Sequence, residues 1–326
     1  MSKVFCPMVY HSIYVRRTAY GSHSLSPCTL ADQSTPTSDK IDFINDKHLI
    51  DIRKEFSSGG RPTACRSCWD DETHGRTSAR QQHIDRDIIP SDESLILTNI
   101  DYNTLPLCNA KCVICDSTFS SMWATANGES SRIIDLVKNK YDHLDGLELS
   151  SIKRVYFNGG EPLLTNEHVE LLQRVNNISE LDILYNTNGS CYPSEQALNL
   201  WKQAKSVTLF FSIDGTGDRF EETRTPLKWK QVSENIKKIN LIKNIRIGCT
   251  YTIGRHNVYD LQDTVDWFEK LPNFDLEEFY VHYVDTNHSL SFNNASDTEK
   301  LEFANELSKF SKFTKWHQRI LSSIED

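Results

Sequence analysis

Three closely spaced cysteines constrain this chain more than any other feature of its sequence. Cys108, Cys112 and Cys115 have the spacing C-x3-C-x2-C and come directly after a predicted strand, Leu95–Tyr102. A structural zinc ion and an ordinary [4Fe–4S] cluster each take four protein ligands. Three thiolates therefore leave one metal position open, and an open position is where a metal centre does chemistry. Three cysteines of the core, or part of a zinc ribbon, are the alternative interpretations.

A glycine-rich motif follows the next predicted strand. Residues 158–162 read Asn-Gly-Gly-Glu-Pro, and the two glycines let the backbone come close to a ligand because they carry no Cβ. Together with the cysteine spacing, this motif resembles the radical S-adenosylmethionine (radical SAM) superfamily. The resemblance implies a SAM-binding [4Fe–4S] cluster on the catalytic residues Cys108, Cys112 and Cys115, with the methionine amino group of SAM held by Gly159, Gly160, Glu161 and Pro162.

Short polar residues follow the third and fourth predicted strands. Asn188 lies in the sequence Asn-Thr-Asn-Gly, which is either an ordinary turn or, as in related enzymes, a stretch beside the cofactor. Ser212 and Asp214 are two positions apart, so they share one face of an extended strand. In twitch and SPASM radical SAM proteins a similar run holds the ribose of SAM.

Arg224 completes this set of candidate cofactor-binding residues. Its planar guanidinium suits a carboxylate, and the resemblance implies that it binds the carboxylate of SAM. The alternative is a surface ion pair with Glu221 or Glu222.

Four further cysteines lie in residues 1–92, a segment that is neutral because it carries 12 basic and 12 acidic residues. These are Cys6, Cys28, Cys65 and Cys68. The segment resembles the N-terminal part of twitch-domain radical SAM proteins, which implies an auxiliary [4Fe–4S] cluster on the four cysteines. Those relatives often have Cys-Cys where this chain has Cys28 followed by Thr29. A structural zinc ion is the alternative.

The rest of the chain alternates between strands and helices. The predicted strands are Leu95–Tyr102, Arg154–Phe157, Asp182–Tyr185, Ser206–Ile213, Ile245–Ile253 and Glu278–Val284. The predicted helices lie within Ser120–Tyr141, Asn166–Val175, Ser194–Lys202, Lys230–Asn240, Val258–Lys270 and Ala295–Leu321. Six such units predict an α/β fold with a parallel sheet, too small for a closed eight-stranded barrel. We expect an open, partial (β/α)6 barrel over residues 93–326, after an N-terminal auxiliary-cluster domain over residues 1–92.

The N-terminal segment itself shows weaker patterns. A strand over Val4–Tyr14 and a return strand near Tyr20–Thr29 predict a hairpin with Gly21 at the turn. Apolar spacing predicts a helix over Asp46–Phe56, and a polar helical stretch extends to about Arg86.

Composition limits the partners and the location of the chain. The net charge of −9 disfavours nucleic acid and anionic membranes as partners. No run of 18 apolar residues predicts a membrane span, and the N-terminus lacks the pattern of a secretory signal. Nine cysteines without such a signal indicate metal or redox chemistry, so we expect a cytoplasmic protein.

The resemblance implies a reaction type but not a substrate. It implies an oxidoreductase-type reaction in which SAM is reductively cleaved to a 5′-deoxyadenosyl radical that abstracts hydrogen from a substrate. We expect a peptide or protein side chain as that substrate, and flavodoxin or ferredoxin as electron donor. Modification of a small metabolite, sugar or nucleotide is an alternative. A non-catalytic zinc-binding interaction protein is an alternative of another class.

Overall fold

The computed structural model describes residues 4–17, 22–37, 40–85, 89–138, 146–284 and 288–309. The strands in these residues are β1 Ser12–Arg17, β2 His23–Ser26, β3 Asn99–Asn103, β4 Lys111–Cys112, β5 Arg154–Asn158, β6 Asp182–Thr187, β7 Ser206–Ser212, β8 Arg224–Thr225, β9 Ile245–Ile253 and β10 Phe274–Tyr283. Eight of them form one sheet in the order β10-β9-β7-β6-β5-β3-β1-β2, and β4 pairs with β8 in a separate ladder.

Helices alternate with these strands along most of the chain. They are α1 Met8–His11, α2 Lys47–Ser57, α3 Arg66–Thr73, α4 Ala79–Asp85, α5 Ser121–Ala126, α6 Ser130–Lys138, α7 Glu167–Arg174, α8 Glu195–Trp201, α9 Gly217–Thr223, α10 Trp229–Ile239, α11 Leu261–Glu269 and α12 Asp297–Ser308. Side chains fix several helix starts. Asp46 accepts the Leu49 N–H at the start of α2, and Ser296 and Glu299 form a capping box on α12.

Most of the described strand pairs are parallel. β3 lies between β1 and β5, with Ile100 opposite Ile13 and Val155. β5 pairs in parallel with β6, and β9 with β10. β2 joins the large sheet in an antiparallel pairing, to β1. Parallel strands need helical crossovers, which explains why strands and helices alternate after residue 93.

The predicted α/β fold is confirmed, with one addition to its sheet. No closed barrel forms among the described strands. The six predicted strands are present, and Ile245–Ile253 has the predicted bounds. The two strands of the N-terminal hairpin extend the sheet to eight, because β1 pairs with β3 along its whole length.

The N-terminal strand prediction was wrong in its first half. Met8–His11 is a single helical turn, and the strand begins only at Ser12. Pro7 explains the difference, because its ring fixes a helical φ of −62° immediately before the turn. The predicted turn at Gly21, the end of the stretch near Arg86 and the helix beyond residue 309 lie outside the described residues.

The chain forms two compact units. The first comprises Met1–Leu107, Gly128–Tyr185 and Ser194–Val207, and the second Cys108–Asn127, Asn186–Pro193 and Thr208–Asp326. An aromatic core fills the first unit, built from Tyr102, Phe157, His168, Tyr185 and Trp201. The core of the second unit contains Phe211, Phe220, Tyr251, Phe268 and Phe279. A domain boundary at residue 92 stays a prediction.

Candidate active site

The three-cysteine loop begins the second unit and is fixed by backbone contacts. Cys112 lies in β4, which pairs with β8 so that Cys112 is opposite Arg224. The next residue, Val113, donates its N–H to the Thr223 carbonyl at 2.9 Å. From the other side, the Trp123 indole donates to the Cys112 carbonyl at 2.9 Å. The loop backbone is therefore held in place by a nearby helix and by a strand that is distant in the sequence.

Two side chains donate hydrogen bonds to sulfur atoms of this loop. Nη1 of Arg224 lies 3.6 Å from the Sγ of Cys112, and Nδ2 of Asn188 lies 3.9 Å from the Sγ of Cys108. Hydrogen bonding to the charged form of a group favours that form. Both contacts thus favour thiolates, the form in which cysteine binds a metal.

Burial, by contrast, disfavours the thiolate form of two of these cysteines. It raises the pKa of Cys112, and the charge of Arg224 partly offsets this. The pKa of Cys115 is raised to about 11, first by burial and then by the neighbouring Cys112. A positively charged metal centre would stabilise such thiolates and deprotonate them.

Arg224 forms a buried ion pair with Asp214. Nη2 of Arg224 lies 2.6 Å from a carboxylate oxygen of Asp214, and these side chains are 8% and 1% exposed. Burial alone lowers the pKa of Arg224, but the charges of Asp214 and Cys112 together raise it. The other oxygen of Asp214 accepts the Thr252 N–H at 2.8 Å.

The alternative of a surface ion pair for Arg224 was wrong. Glu221 pairs instead with Lys228 at 2.5 Å, and Glu222 with Arg219 at 2.8 Å. Arg224 points away from them into the protein, because β8 places it opposite Cys112.

The Gly-Gly motif lies against the segment that leads into the cysteine loop. A Cβ on Gly160 would lie 2.4 Å from the Leu107 carbonyl oxygen, and one on Gly159 would lie 2.5 Å from Oδ1 of Asn103. Gly159 also has a φ of +115°, which disfavours other residues. Glu161 donates its N–H to the Leu107 carbonyl at 2.8 Å. Here the glycines permit close backbone packing within the first unit.

An amide network beside the three-cysteine loop was not predicted. Asn109 donates to Ser190 Oγ at 2.9 Å, and Asn188 donates to Asn109 Oδ1 at 3.0 Å. Gln231 donates to the Ser190 carbonyl at 3.1 Å. The network fixes Asn188 relative to Cys108. Its only signal in the sequence was an amide residue directly after the first cysteine.

The second unit also contains buried polar atoms without a protein partner. Oδ1 of Asn186 and Nε of Arg224 are buried, and no described residue hydrogen-bonds to either atom. Ser212, by contrast, accepts a hydrogen bond from Thr250 at 3.2 Å. Buried polar atoms left unpaired are costly, so a polar ligand that satisfies them would bind favourably. These atoms fit the amino-acid and ribose groups of SAM.

The four N-terminal cysteines line one cavity in the first unit. The space between its atoms amounts to about 410 Å³, including the part open to solvent. The lining residues are Cys6, Met8, Val9, Pro27, Cys28, Leu30, Ala31, Phe56, Cys65, Cys68, Ala79, Arg80 and His83. The four thiols come from separate parts of the segment, yet they face the same mostly apolar space.

The cavity raises the pKa of its thiols. The pKa of Cys28 rises to about 11 and that of Cys65 to about 12, mainly through burial. For Cys6, the other three thiols add to the effect of burial. Backbone N–H groups act in the opposite direction, among them that of Arg80 toward Cys68. Four thiols in apolar surroundings with N–H donors directed at them have the chemistry of a metal–sulfur site.

Arg80, which lines this cavity, belongs to a network of polar contacts. Arg80 pairs with Glu72 at 2.9 Å, and the two side chains are 10% and 12% exposed. It also donates to the Phe5 carbonyl at 2.6 Å and lies over the Trp69 ring. Arg80 thereby connects the residue before Cys6 to the helix that carries Cys68.

Neither cysteine set converges on a single point. Among the described residues, no three Cys, His, Asp or Glu side chains are placed to ligate one metal ion. In a four-iron cluster each thiolate binds a different iron, so its thiols surround a volume.

Within the same described ranges, no helix has the length and apolarity needed to cross a membrane.

Comparison with known proteins identifies the family. A family model described as the radical SAM superfamily matches residues 102–270, more than half of the chain. This protein therefore belongs to the radical SAM superfamily, and SAM binding and a [4Fe–4S] cluster are implied by that membership. No curated protein matches the chain.

Several solved structures are similar to the chain at low identity. Native anSMEcpe with bound AdoMet is 14% identical, with a TM-score of 0.46, and the match covers 70% of this chain and 62% of that one. Streptococcus suis SuiB bound to S-adenosylmethionine is 13% identical, with a TM-score of 0.40, covering 82% and 58%. TYW1 with a lysine-pyruvate adduct is 17% identical, with a TM-score of 0.34, covering 66% and 72%. The chain thus spans under two thirds of the first two.

Proposed function

We propose that this radical SAM enzyme modifies a peptide or protein side chain and uses two [4Fe–4S] clusters. The proposal of a second cluster is supported by one observation, the cavity lined by all four N-terminal cysteines. The peptide substrate is supported by the resemblance of the N-terminal segment to twitch and SPASM proteins, which often act on peptides. Electrons would come from a carrier such as flavodoxin or ferredoxin.

The first cluster is assigned to Cys108, Cys112 and Cys115. When bound there, it would supply the electron that cleaves SAM. Asn188 and Arg224 would stabilise two of its thiolates through the contacts at 3.9 and 3.6 Å. Hydrogen bonds to cluster sulfurs favour the reduced state, so these two side chains help to set the reduction potential.

SAM itself is assigned to residues around this loop. The backbone of Gly159–Pro162 is proposed to receive the methionine amino group. Arg224 uses one N–H of Nη2 for Asp214 and one of Nη1 for Cys112, so its Nε–H and the remaining Nη–H groups are the donors proposed for the carboxylate of SAM. Ser212 and Asp214 are proposed to lie near the ribose, with Asp214 acting mainly through its ion pair with Arg224.

The second cluster is assigned to Cys6, Cys28, Cys65 and Cys68. Four protein ligands leave no open iron, so this cluster would not bind SAM as the first does. The cavity around it is mostly apolar, and backbone N–H donors stabilise the thiolates. Electron transfer or substrate positioning are the roles that such a closed cluster can serve.

Removing one pair of N-terminal cysteines tests this assignment. The double substitution Cys65→Ala and Cys68→Ala should remove about half of the iron from the anaerobically reconstituted enzyme. SAM cleavage without substrate should persist, whereas modification of a peptide substrate should fall sharply. Candidate peptides are the short reading frames encoded beside this one, assayed by mass spectrometry.

Two results would contradict the proposal. Unchanged iron in the double variant, with zinc bound in the native protein, would refute the second cluster. Modification of a metabolite, sugar or nucleotide, with no peptide modified, would refute the substrate class.

A further inference from the structure

The segment that leads into the three-cysteine loop packs closely against the Gly-Gly motif. Leu107 accepts the Glu161 N–H at 2.8 Å, and its carbonyl oxygen lies where a Cβ of Gly160 would be. Thr104 donates its N–H to the Asn158 carbonyl at 2.8 Å. The two backbone stretches are thus packed at contact distance, and a shift of one displaces the other.

One side chain from the following helix holds the middle of that segment. An oxygen of Glu167, the first residue of α7, accepts the Leu105 N–H at 2.7 Å. The other oxygen pairs with the guanidinium of Arg17, the last residue of β1. The side chains of Arg17 and Glu167 are only 4% and 15% exposed. A charge-assisted hydrogen bond of this kind is roughly twice as strong as a neutral one.

The arrangement connects three parts of the first unit. Arg17 belongs to the N-terminal hairpin, Glu167 follows the Gly-Gly motif, and Leu105 lies three residues before Cys108. A buried carboxylate keeps its charge only when a cation and hydrogen-bond donors compensate it. Arg17 supplies the cation and Leu105 one donor.

We propose that Glu167 is a positioning residue that sets the placement of the cluster loop for SAM binding, and that Arg17 of the N-terminal hairpin orients it. The inference rests on the proposed SAM site. If Arg17 orients Glu167, the hairpin that precedes Cys28 influences SAM affinity. Neither Arg17 nor Glu167 is among the residues proposed to contact SAM.

The test compares two double variants that differ only in the acceptor offered to Leu105. Removing one charge of a buried pair is strongly destabilising, whereas replacing both is often tolerated. Arg17→Met with Glu167→Leu removes the pair and the acceptor, and Arg17→Met with Glu167→Gln keeps a neutral acceptor. Glu170→Gln, on the exposed side of the same helix, is the control.

The measurements are the SAM dissociation constant of the reconstituted enzyme and the electron paramagnetic resonance (EPR) spectrum of the reduced cluster with SAM. We expect the leucine variant to bind SAM roughly tenfold more weakly than the glutamine variant, as for one unsatisfied buried N–H. Its SAM-induced spectral change should be reduced, with the iron content retained. Loss of the cluster from the leucine variant alone, in folded protein, would also support the proposal.

Equal SAM affinity in the leucine and glutamine variants would overturn the inference while leaving the proposed function intact. Failure of the native protein to bind SAM would instead refute the proposed SAM site itself.

Discussion

Substituting Arg224 by Lys tests how the buried ion pair supports the cluster loop. Nη2 of the guanidinium lies 2.6 Å from an Asp214 oxygen, and Nη1 lies 3.6 Å from the Cys112 sulfur. Nε has no hydrogen-bond partner among the described residues. Lysine keeps the charge, but its single ammonium cannot reproduce this planar fork. Loss of one hydrogen bond to a charged group costs about 1.5–3 kcal/mol. We expect a loss of that size in the free energy of unfolding.

Arg219→Lys is the matched control. Arg219 lies on α9, the helix directly before β8. It pairs with two carboxylates, Asp260 at 2.9 Å and Glu222 at 2.8 Å. Its side chain is 35% exposed, so solvent screens these pairs. Exposed ion pairs typically contribute no more than about 1 kcal/mol, and the control should lose no more than that.

The assay is anaerobic urea unfolding followed by tryptophan fluorescence, together with SAM binding by calorimetry. Arg224→Lys should lower the unfolding midpoint more than Arg219→Lys and should weaken SAM binding roughly 10- to 150-fold, which corresponds to the loss of one charged hydrogen bond. If both variants lost the same small stability and bound SAM normally, the argument from the buried pair would be refuted.

Three further predictions concern other parts of the chain. Gly160→Ala should weaken SAM binding in calorimetry, because its Cβ would lie 2.4 Å from the backbone oxygen of Leu107 and overpacking costs about 1–3 kcal/mol; normal affinity would contradict this. Arg80→Gln breaks the 2.9 Å pair with Glu72, so iron should fall toward half while SAM cleavage persists, and full iron would contradict it. Burial lowers the pKa of His168 to about 4, below its unfolded value of about 6.5. Below pH 6.5 the unfolded chain binds a proton at His168 that the folded chain does not bind. The free energy of unfolding therefore falls as the pH drops from 6.5 toward 4. Urea midpoints at pH 7.5 and 5.5 should show native protein losing about 1.4 kcal/mol more than His168→Gln, and equal losses would refute this.

The main features of the fold could be predicted from the sequence because its strands are apolar and well separated. Ile245–Ile253 has its predicted bounds, and its alternating and buried residues explain why. The hairpin's place in the sheet could not be predicted, since pairing of β1 with β3 joins residues about 87 positions apart. The helical turn at Met8–His11 is too short to show a period, and burial of all four residues stabilises it instead.

The candidate site was predictable only where its residues are close in sequence. The spacing of Cys108, Cys112 and Cys115 indicated an open metal site directly. The pairing of Arg224 with Asp214 required the tertiary fold, because β8 must first be placed beside β4. Similarly, the cavity shared by the N-terminal cysteines depends on packing between segments that no spacing rule connects.

The most direct test of the central claim is reductive SAM cleavage by the anaerobically reconstituted enzyme, measured as 5′-deoxyadenosine with dithionite as reductant. The native protein should be brown and should form 5′-deoxyadenosine. The variant in which Cys108, Cys112 and Cys115 are all alanine should form none while retaining the iron of the second cluster. A colourless zinc-containing native protein, or 5′-deoxyadenosine at the native rate from the triple variant, would contradict the assignment of the radical site.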